Sequence, residues 1–125
     1  MKLFLPVLIA FALPHILPAQ NRIGTGAVME LYRTYCASCH GQNLEGGQGS
    51  SFIDGIWMHG STDEEITQNI KKGKPEFGMV PWEGVLSDEQ IRSLVILIRE
   101  QSQLANQEAL LCLLYTSPSP RDLST

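Results

Sequence analysis

The sequence predicts an all-α domain with three main helices. Apolar residues recur every three or four positions in three stretches, residues 27–35, 61–72 and 87–98, as they do on the buried face of a helix. The second and third stretches each begin with Ser or Thr followed three residues later by Glu or Gln, which is the pattern of a helix-capping box. No segment of the chain requires a strand, so the fold class follows from the helices alone.

The first predicted helix leads directly into the most informative motif of the chain. Val28 and Tyr32 are four residues apart on its apolar face. Residues 36–40 then read Cys-Ala-Ser-Cys-His, a C-x-x-C-H motif. Two thiols at this spacing can each form a thioether to one vinyl group of haem, and the histidine that follows is then held below the iron. The motif predicts one covalent haem c, attached through Cys36 and Cys39, with His40 as the proximal iron ligand.

A zinc half-site and a redox-active dithiol are the alternatives for this motif. A structural zinc needs four nitrogen or sulfur ligands. Outside the motif the chain offers only His15, His59 and Cys112, and His15 lies in a predicted signal peptide. A thioredoxin-like dithiol would need a βαβ context, which the pattern of the chain does not provide. Haem is therefore the favoured reading.

Two segments rich in glycine or proline are expected to surround the haem. Residues 41–55 contain five glycines and are predicted to be a loop that can pass close to the cofactor, since glycine adds no side chain. Residues 74–85 are irregular and carry Met79 in the run Gly-Met-Val-Pro-Trp. Haem iron in cytochromes c usually takes His on one side and Met on the other, so Met79 is predicted to be the distal ligand. Met58 and His59 remain as alternative distal ligands.

The N-terminal residues 1–19 are predicted to be a signal peptide. Lys2 precedes an apolar run from Leu3 to Leu17, and Ala19 provides a small residue for cleavage. A membrane anchor is the rival interpretation, but the run is shorter than the ~20 residues of a spanning helix, Pro6 and Pro14 interrupt it and Pro18 follows it. The expected mature domain is residues 20–111, exported to the bacterial periplasm and not stably inserted in the membrane after cleavage.

The C-terminal residues 112–125 are predicted to be either an artefact or a disordered tail. Residues 112–122 match, in order, the translation of a transposase adapter used to prepare sequencing libraries. The alternative is a genuine segment rich in Ser and Pro. The last helix is expected to continue as far as Leu111, and the natural end of the protein then lies elsewhere.

The charge of the chain excludes some partners. The formal net charge is −4, and residues 20–111 carry seven basic and twelve acidic residues, which gives −5. An acidic surface argues against nucleic acid or an anionic membrane as a partner. Both cysteines of residues 20–111 belong to the C-x-x-C-H motif, so no disulfide is expected there.

The order of helix, C-x-x-C-H, glycine-rich loop, helix, methionine loop and helix resembles a small class I cytochrome c over residues 27–100. The resemblance implies three main helices wrapped around one haem, with His40 and Met79 as axial ligands. It also implies electron transfer by a protein that is not itself an enzyme. The family's Gly-Met-Pro-Pro-aromatic motif has Val80 in place of its first proline, and Leu97 stands where many members carry an aromatic residue.

A narrower similarity suggests a partner. Residues 35–41, 44–47, 54–57 and 59–60 are similar to cytochrome domains found beside PQQ-dependent sugar dehydrogenases. This resemblance implies redox partners such as a quinoprotein dehydrogenase and a terminal electron acceptor, or an N-terminal electron-accepting domain of a truncated dehydrogenase fusion. A third alternative is a ligand-binding or peroxidase haem with a labile distal site.

Overall fold

A computed structural model describes residues 24–116, which form four α-helices and one 3-10 turn. The elements are α1 (Thr25–Tyr35), α2 (Ala37–His40), α3 (Asp63–Lys72), the 3-10 turn (Pro75–Phe77) and α4 (Asp88–Thr116). Between residues 24 and 116 there is no strand, only two isolated bridges. The all-α prediction is confirmed. The predicted signal peptide, residues 1–19, and residues 117–125 lie outside the described part of the chain.

Helix α4 forms the centre of the packing, because both α1 and α3 lie against it. Tyr32 of α1 and Ile91 and Leu94 of α4 are the most deeply buried large side chains of the helices, each no more than 1% exposed. Replacing a buried leucine of this kind by alanine costs about 2–5 kcal/mol. The remaining core side chains are aliphatic and come from all four helices and two loops: Val28, Ala37, Leu44, Ile66, Ile70, Leu86, Val95, Leu97 and Ile98.

The start of α3 is set by a capping box. The backbone N–H of Glu65 donates to the Thr62 hydroxyl at 3.2 Å, and the Thr62 N–H donates to the Glu65 carboxylate at 2.9 Å. Ser61 and Glu64 have the same spacing in the sequence, but the capping box forms between Thr62 and Glu65. The hydrogen bonds from Thr62 lower the pKa of Glu65. The last helix shows the same arrangement between Ser87 and Gln90, as predicted.

Helix α4 extends five residues beyond the expected end at Leu111. The sequence interpretation saw no helical periodicity from Cys112 onward, whereas the structure continues the helix to Thr116. No proline or glycine interrupts this segment before Pro118, so nothing in it stops a helix. The side chains of Leu113, Leu114 and Tyr115 are 70–94% exposed. No helix among residues 24–116, including this one, combines the length and apolarity needed to cross a membrane.

Candidate haem site

The C-x-x-C-H motif occupies the junction between α1 and α2. The Cys36 N–H donates to the Tyr32 carbonyl at 2.8 Å and so ends α1. The His40 N–H donates to the Cys36 carbonyl at 3.0 Å and closes the turn of α2. Residues three apart share one face of such a turn, so the helical geometry places Cys36 and Cys39 on one side. Burial, and then the neighbouring Cys39, raise the pKa of the Cys36 thiol to about 11.

The ring of His40 is oriented by the glycine-rich loop. His40 Nδ1 lies 2.8 Å from the carbonyl oxygen of Ser50. A carbonyl only accepts, so this contact places the proton on Nδ1 and leaves the lone pair of Nε2 free for a metal. In metal sites, a hydrogen bond from the ring nitrogen that does not ligate the metal typically fixes the orientation of the histidine. The ring also stacks on Phe52, with 4.6 Å between the ring centroids.

Glycine at position 49 allows the loop to reach the histidine. The Gly49 N–H donates to the Cys39 carbonyl at 2.8 Å, and the Gly46 N–H donates to the His40 carbonyl at 2.8 Å. A Cβ atom on Gly49 would lie 2.7 Å from Cε1 of the His40 ring, closer than real Cβ contacts. The sequence predicted that this loop approaches the cofactor site closely. It did not indicate that Gly49 and the Ser50 carbonyl are the groups that lie against the histidine.

Tyr32 supports the motif from the core side. Its hydroxyl donates to the carbonyl of Gly41 at 2.8 Å and lies 3.2 Å from the carbonyl of His40. The side chain is fully buried, and this burial raises the pKa of the hydroxyl, which therefore stays protonated and able to donate. The sequence placed Tyr32 on the apolar face of the first helix but did not indicate these hydrogen bonds.

The loop that carries Met79 is attached to the end of α3. The Lys74 N–H donates to the Met79 carbonyl at 2.8 Å, and the Met79 N–H donates to the Lys74 carbonyl at 3.1 Å. Farther along, the Trp82 N–H is 3.2 Å from the Ile70 carbonyl. Gly73 ends α3 with a φ of +66°, and a Cβ there would lie 2.5 Å from the Met79 carbonyl oxygen. The loop therefore depends on close backbone contact at Gly73.

One cavity of about 70 Å³ brings His40 and Met79 together. Its remaining apolar lining comes from the following side chains: Phe52, Ile56, Trp57, Ile66, Ile70 and Ile98. An imidazole with a free Nε2, a thioether and apolar walls are the donor set and surroundings that a His/Met-ligated haem needs. Cys36 and Cys39 do not line this cavity, but Cys39 immediately precedes His40. The chemistry of the residues fits haem c.

The alternative distal ligands also reach this cavity. Both Met58 and His59 line it. Met58 is 72% exposed, whereas Met79 is partly buried and packs against the core. The His59 ring contacts the Phe77 ring with 4.7 Å between centroids. Burial therefore favours Met79 over Met58. For the zinc alternative, no group of three or more His, Cys, Asp or Glu side chains among residues 24–116 is arranged to hold a metal ion.

Residues 25–98 match the model of the protein family described as cytochrome c oxidase, cbb3-type, subunit III. This match covers more than half of the 125-residue chain. The chain belongs to this family. Its members carry the c-type cytochrome domain that the C-x-x-C-H motif predicted, and the family implies a covalently bound haem c.

The curated relatives are oxidase subunits and a small cytochrome. The cbb3-type oxidase subunit CcoP of Rhodobacter capsulatus is 48% identical over 44 residues, which are 34% of this chain and 15% of that subunit. FixP of Azorhizobium caulinodans is 34% identical over 73 residues, or 55% of this chain and 24% of FixP. Cytochrome c55X of Pseudomonas aeruginosa is 35% identical over 60 residues, 48% of this chain and 50% of that protein. The chain thus spans at most half the length of these relatives.

A solved structure confirms the fold. The KustC0563 c-type cytochrome superposes with a TM-score of 0.52 and 32% sequence identity, and the match covers 58% of this chain and 94% of that one. The resemblance to a class I cytochrome c is confirmed, and the domain functions in haem-based electron transfer. These relatives are named as oxidase subunits and cytochromes and give no support to the dehydrogenase fusion.

Proposed function

We propose that this domain binds one haem c through Cys36 and Cys39, with His40 and Met79 as axial ligands, and passes single electrons between redox proteins in the periplasm. The observation that supports the ligand pair is the shared cavity, in which His40 has its Nδ1 engaged by Ser50 and Met79 approaches from the loop after α3. When bound, haem supplies an iron that cycles between the ferrous and ferric states.

The side chains around the cavity define how the iron would behave. The thioether of Met79 favours the ferrous state and so raises the reduction potential. With His40 and Met79 both holding the iron, no position would remain for a substrate, which would suit a carrier rather than an enzyme. The aliphatic side chains of α3 and α4 that line the cavity exclude water. Their exclusion of water lowers the free-energy cost of holding the haem centre in its uncharged, reduced form.

A terminal oxidase is the partner class that the relatives suggest, because CcoP and FixP are named as subunits of cbb3-type oxidases. Docking of a separate carrier would be weak and transient, as is usual for redox encounters. A quinoprotein dehydrogenase as electron donor rests only on the sequence resemblance of segments within residues 35–60. The predicted signal peptide supports export.

The covalent attachment is tested with the two cysteines. Holoprotein produced with a cytochrome c maturation system is expected to keep its haem on the polypeptide after extraction with acidified acetone. Substitution of both Cys36→Ser and Cys39→Ser should abolish this retention, because no thioether can then form. Cys112→Ser is the matched control and should retain the haem. Release of haem from the unsubstituted protein would refute the proposal.

The distal ligand is tested by a pair of methionine substitutions. Met79→Leu conserves side-chain volume but removes the sulfur, so the weak far-red sulfur-to-iron band of the ferric protein should vanish. The reduction potential should fall by on the order of tenths of a volt, because axial ligands set haem potentials over about 0.8 V. Met58→Leu is the control and should leave both quantities unchanged. The reverse pattern would assign the ligand to Met58.

A further inference from the structure

The segment between Trp57 and Ser61 carries two side chains that compete chemically with Met79. Met58 and His59 both line the cavity that holds His40 and Met79. Imidazole and thioether are both ligands of haem iron. Methionine ligation raises the reduction potential, which means that it favours ferrous iron, so imidazole is the better ligand for ferric iron. The position of this segment therefore decides which side chain can approach the iron.

A single side chain from α4 contacts both ends of the segment. The guanidinium of Arg99 lies 5.0 Å from the centroid of the Trp57 ring, within the range of a cation–π contact. Its terminal nitrogen donates to the Ser61 carbonyl, and its Nε donates to the Asp63 carboxylate at 2.7 Å. Trp57 precedes Met58, and Ser61 follows Gly60, so Arg99 holds the segment on either side of the two competing ligands.

The geometry of Arg99 matters more than its charge. The Arg99 side chain is 28% exposed and the Asp63 side chain is 75% exposed, so the ion pair alone is worth little. A planar guanidinium can stack on an aromatic ring and donate from two nitrogens at once, which an ammonium cannot do. Arg99 also follows Ile98, which lines the cavity from α4. The contact therefore connects the cavity wall on α4 to the segment.

We propose that Arg99 is a positioning residue that selects the distal ligand: by holding Trp57 and Ser61, it keeps His59 away from the ferric iron and leaves that position to Met79. This inference rests on the proposed His40/Met79 haem. Other contacts also hold the segment: the side-chain amide of Asn69 donates to the His59 carbonyl at 2.8 Å, the Ser61 N–H donates to the Glu65 carboxylate at 2.9 Å, and the Trp57 ring stacks on Phe52. The Asn69 bond holds the backbone of His59 and not its ring, whose contact is with the Phe77 ring at 4.7 Å between centroids; once the segment shifts, that ring contact is the one His59 exchanges for the iron.

The test uses full-length holoprotein and Arg99→Gln. The far-red band of the ferric protein should weaken to less than half, and the reduction potential should fall, because His59 replaces part of the Met79 ligation. Amide hydrogen exchange over residues 57–61 should rise by roughly tenfold, since these amides exchange from a locally opened state. Arg92→Gln is the matched control: it removes the same charge from an exposed position of α4 and should change none of these quantities.

A second substitution separates ligand selection from simple loosening. In Arg99→Gln with His59→Asn, the far-red band should return, because the competing imidazole is gone. Arg99→Lys keeps the positive charge but has only one donor nitrogen. The intensity of its far-red band should lie between that of Arg99→Gln and that of the double variant. An Arg99→Gln spectrum and exchange rate equal to those of the unsubstituted protein would overturn the inference, as would a lost band that His59→Asn does not restore. Failure of the Met79 assignment would look different, since the unsubstituted protein would then lack the band.

Discussion

The two sides of the cavity are built in different ways. On the proximal side, His40 is held by contacts from residues close to it in sequence: the Ser50 carbonyl, the backbone of Gly46 and the hydroxyl of Tyr32. On the distal side, Met79 is held by a loop that hydrogen-bonds to the last turn of α3. The position of the proposed proximal ligand therefore depends mainly on local structure, whereas that of the proposed distal ligand depends on how the loop packs against another element.

Burial shows the same contrast. Tyr32, beneath the proximal motif, is fully buried, whereas Phe77 and Val80, on either side of Met79, are 66% and 55% exposed. The proximal side thus belongs to the core, and the distal side belongs to the rim of the domain. We expect distal changes that move the Met79 loop to alter the iron ligand, and loss of the buried proximal hydrogen bond of Tyr32 to lower the stability of the fold without altering that ligand.

Glycine-to-alanine substitutions at the two sides give the largest expected difference. In Gly73→Ala, the new Cβ would meet backbone atoms of Met79, Val80 and Pro81 at 2.5–2.6 Å, and the residue has a φ of +66°. Backbone cannot yield as a side chain can, so the loop must move. We expect loss of the far-red band and a fall in the free energy of unfolding of more than about 1 kcal/mol.

Gly49→Ala is the matched proximal change. The three atoms nearest to its Cβ all belong to the His40 ring, at 2.7–3.1 Å, and Gly49 does not have a positive φ. A side chain yields more easily than backbone, so the loss of stability should be smaller than for Gly73→Ala and the far-red band should persist in part. Thermal unfolding and the ferric absorption spectrum measure both effects. A band that is lost in Gly49→Ala and kept in Gly73→Ala would reverse the comparison.

The sequence predicted the proximal side better than the distal side for a physical reason. The C-x-x-C-H motif is a local pattern whose spacing carries its own chemistry, and the capping boxes at Thr62 and Ser87 are equally local. The contact of His40 with Ser50 needs a loop conformation that spacing does not specify, although the glycine content indicated a close approach. The sequence pattern did not indicate the contacts of Arg99, because its partners lie some 36–42 residues earlier in the chain.

The sequence pattern also did not predict the residue at which α4 ends. The amphipathic spacing predicts the helix as far as Ile98 and indicates its continuation to Leu111, where the apolar face becomes irregular. Helix propagation requires only that no residue breaks the backbone pattern, and it can continue through exposed residues such as Leu113 without burying them. The predicted domain boundary at residue 111 remains a prediction.

Tyr32→Phe tests the support beneath the proximal motif. The substitution keeps the ring and its packing but leaves the carbonyl of Gly41 without its buried donor. We expect a loss of about 1–3 kcal/mol in the free energy of unfolding, measured by denaturant titration, with the far-red band unchanged. Tyr35→Phe is the control: Tyr35 is 37% exposed, and its contact with Trp82 uses only the ring. Equal losses of unfolding free energy in both variants would show that the Tyr32 hydroxyl stabilises the fold no more than the Tyr35 hydroxyl does.

The smallest effect is expected from removing the C-terminal residues 112–125. In the described part of this segment, Leu113, Leu114 and Tyr115 are 70–94% exposed, so their removal withdraws little apolar surface from the fold. A chain that ends at Leu111 should bind haem and unfold within about 0.5 kcal/mol of the full chain, as is usual for changes at exposed positions. A chain that ends at Ile98 is the contrasting control, because it loses the Arg99 contacts and Ser102, which is 6% exposed. A clear fall in melting temperature on ending the chain at Leu111 would show that the segment packs against the domain, and would count against its adapter origin.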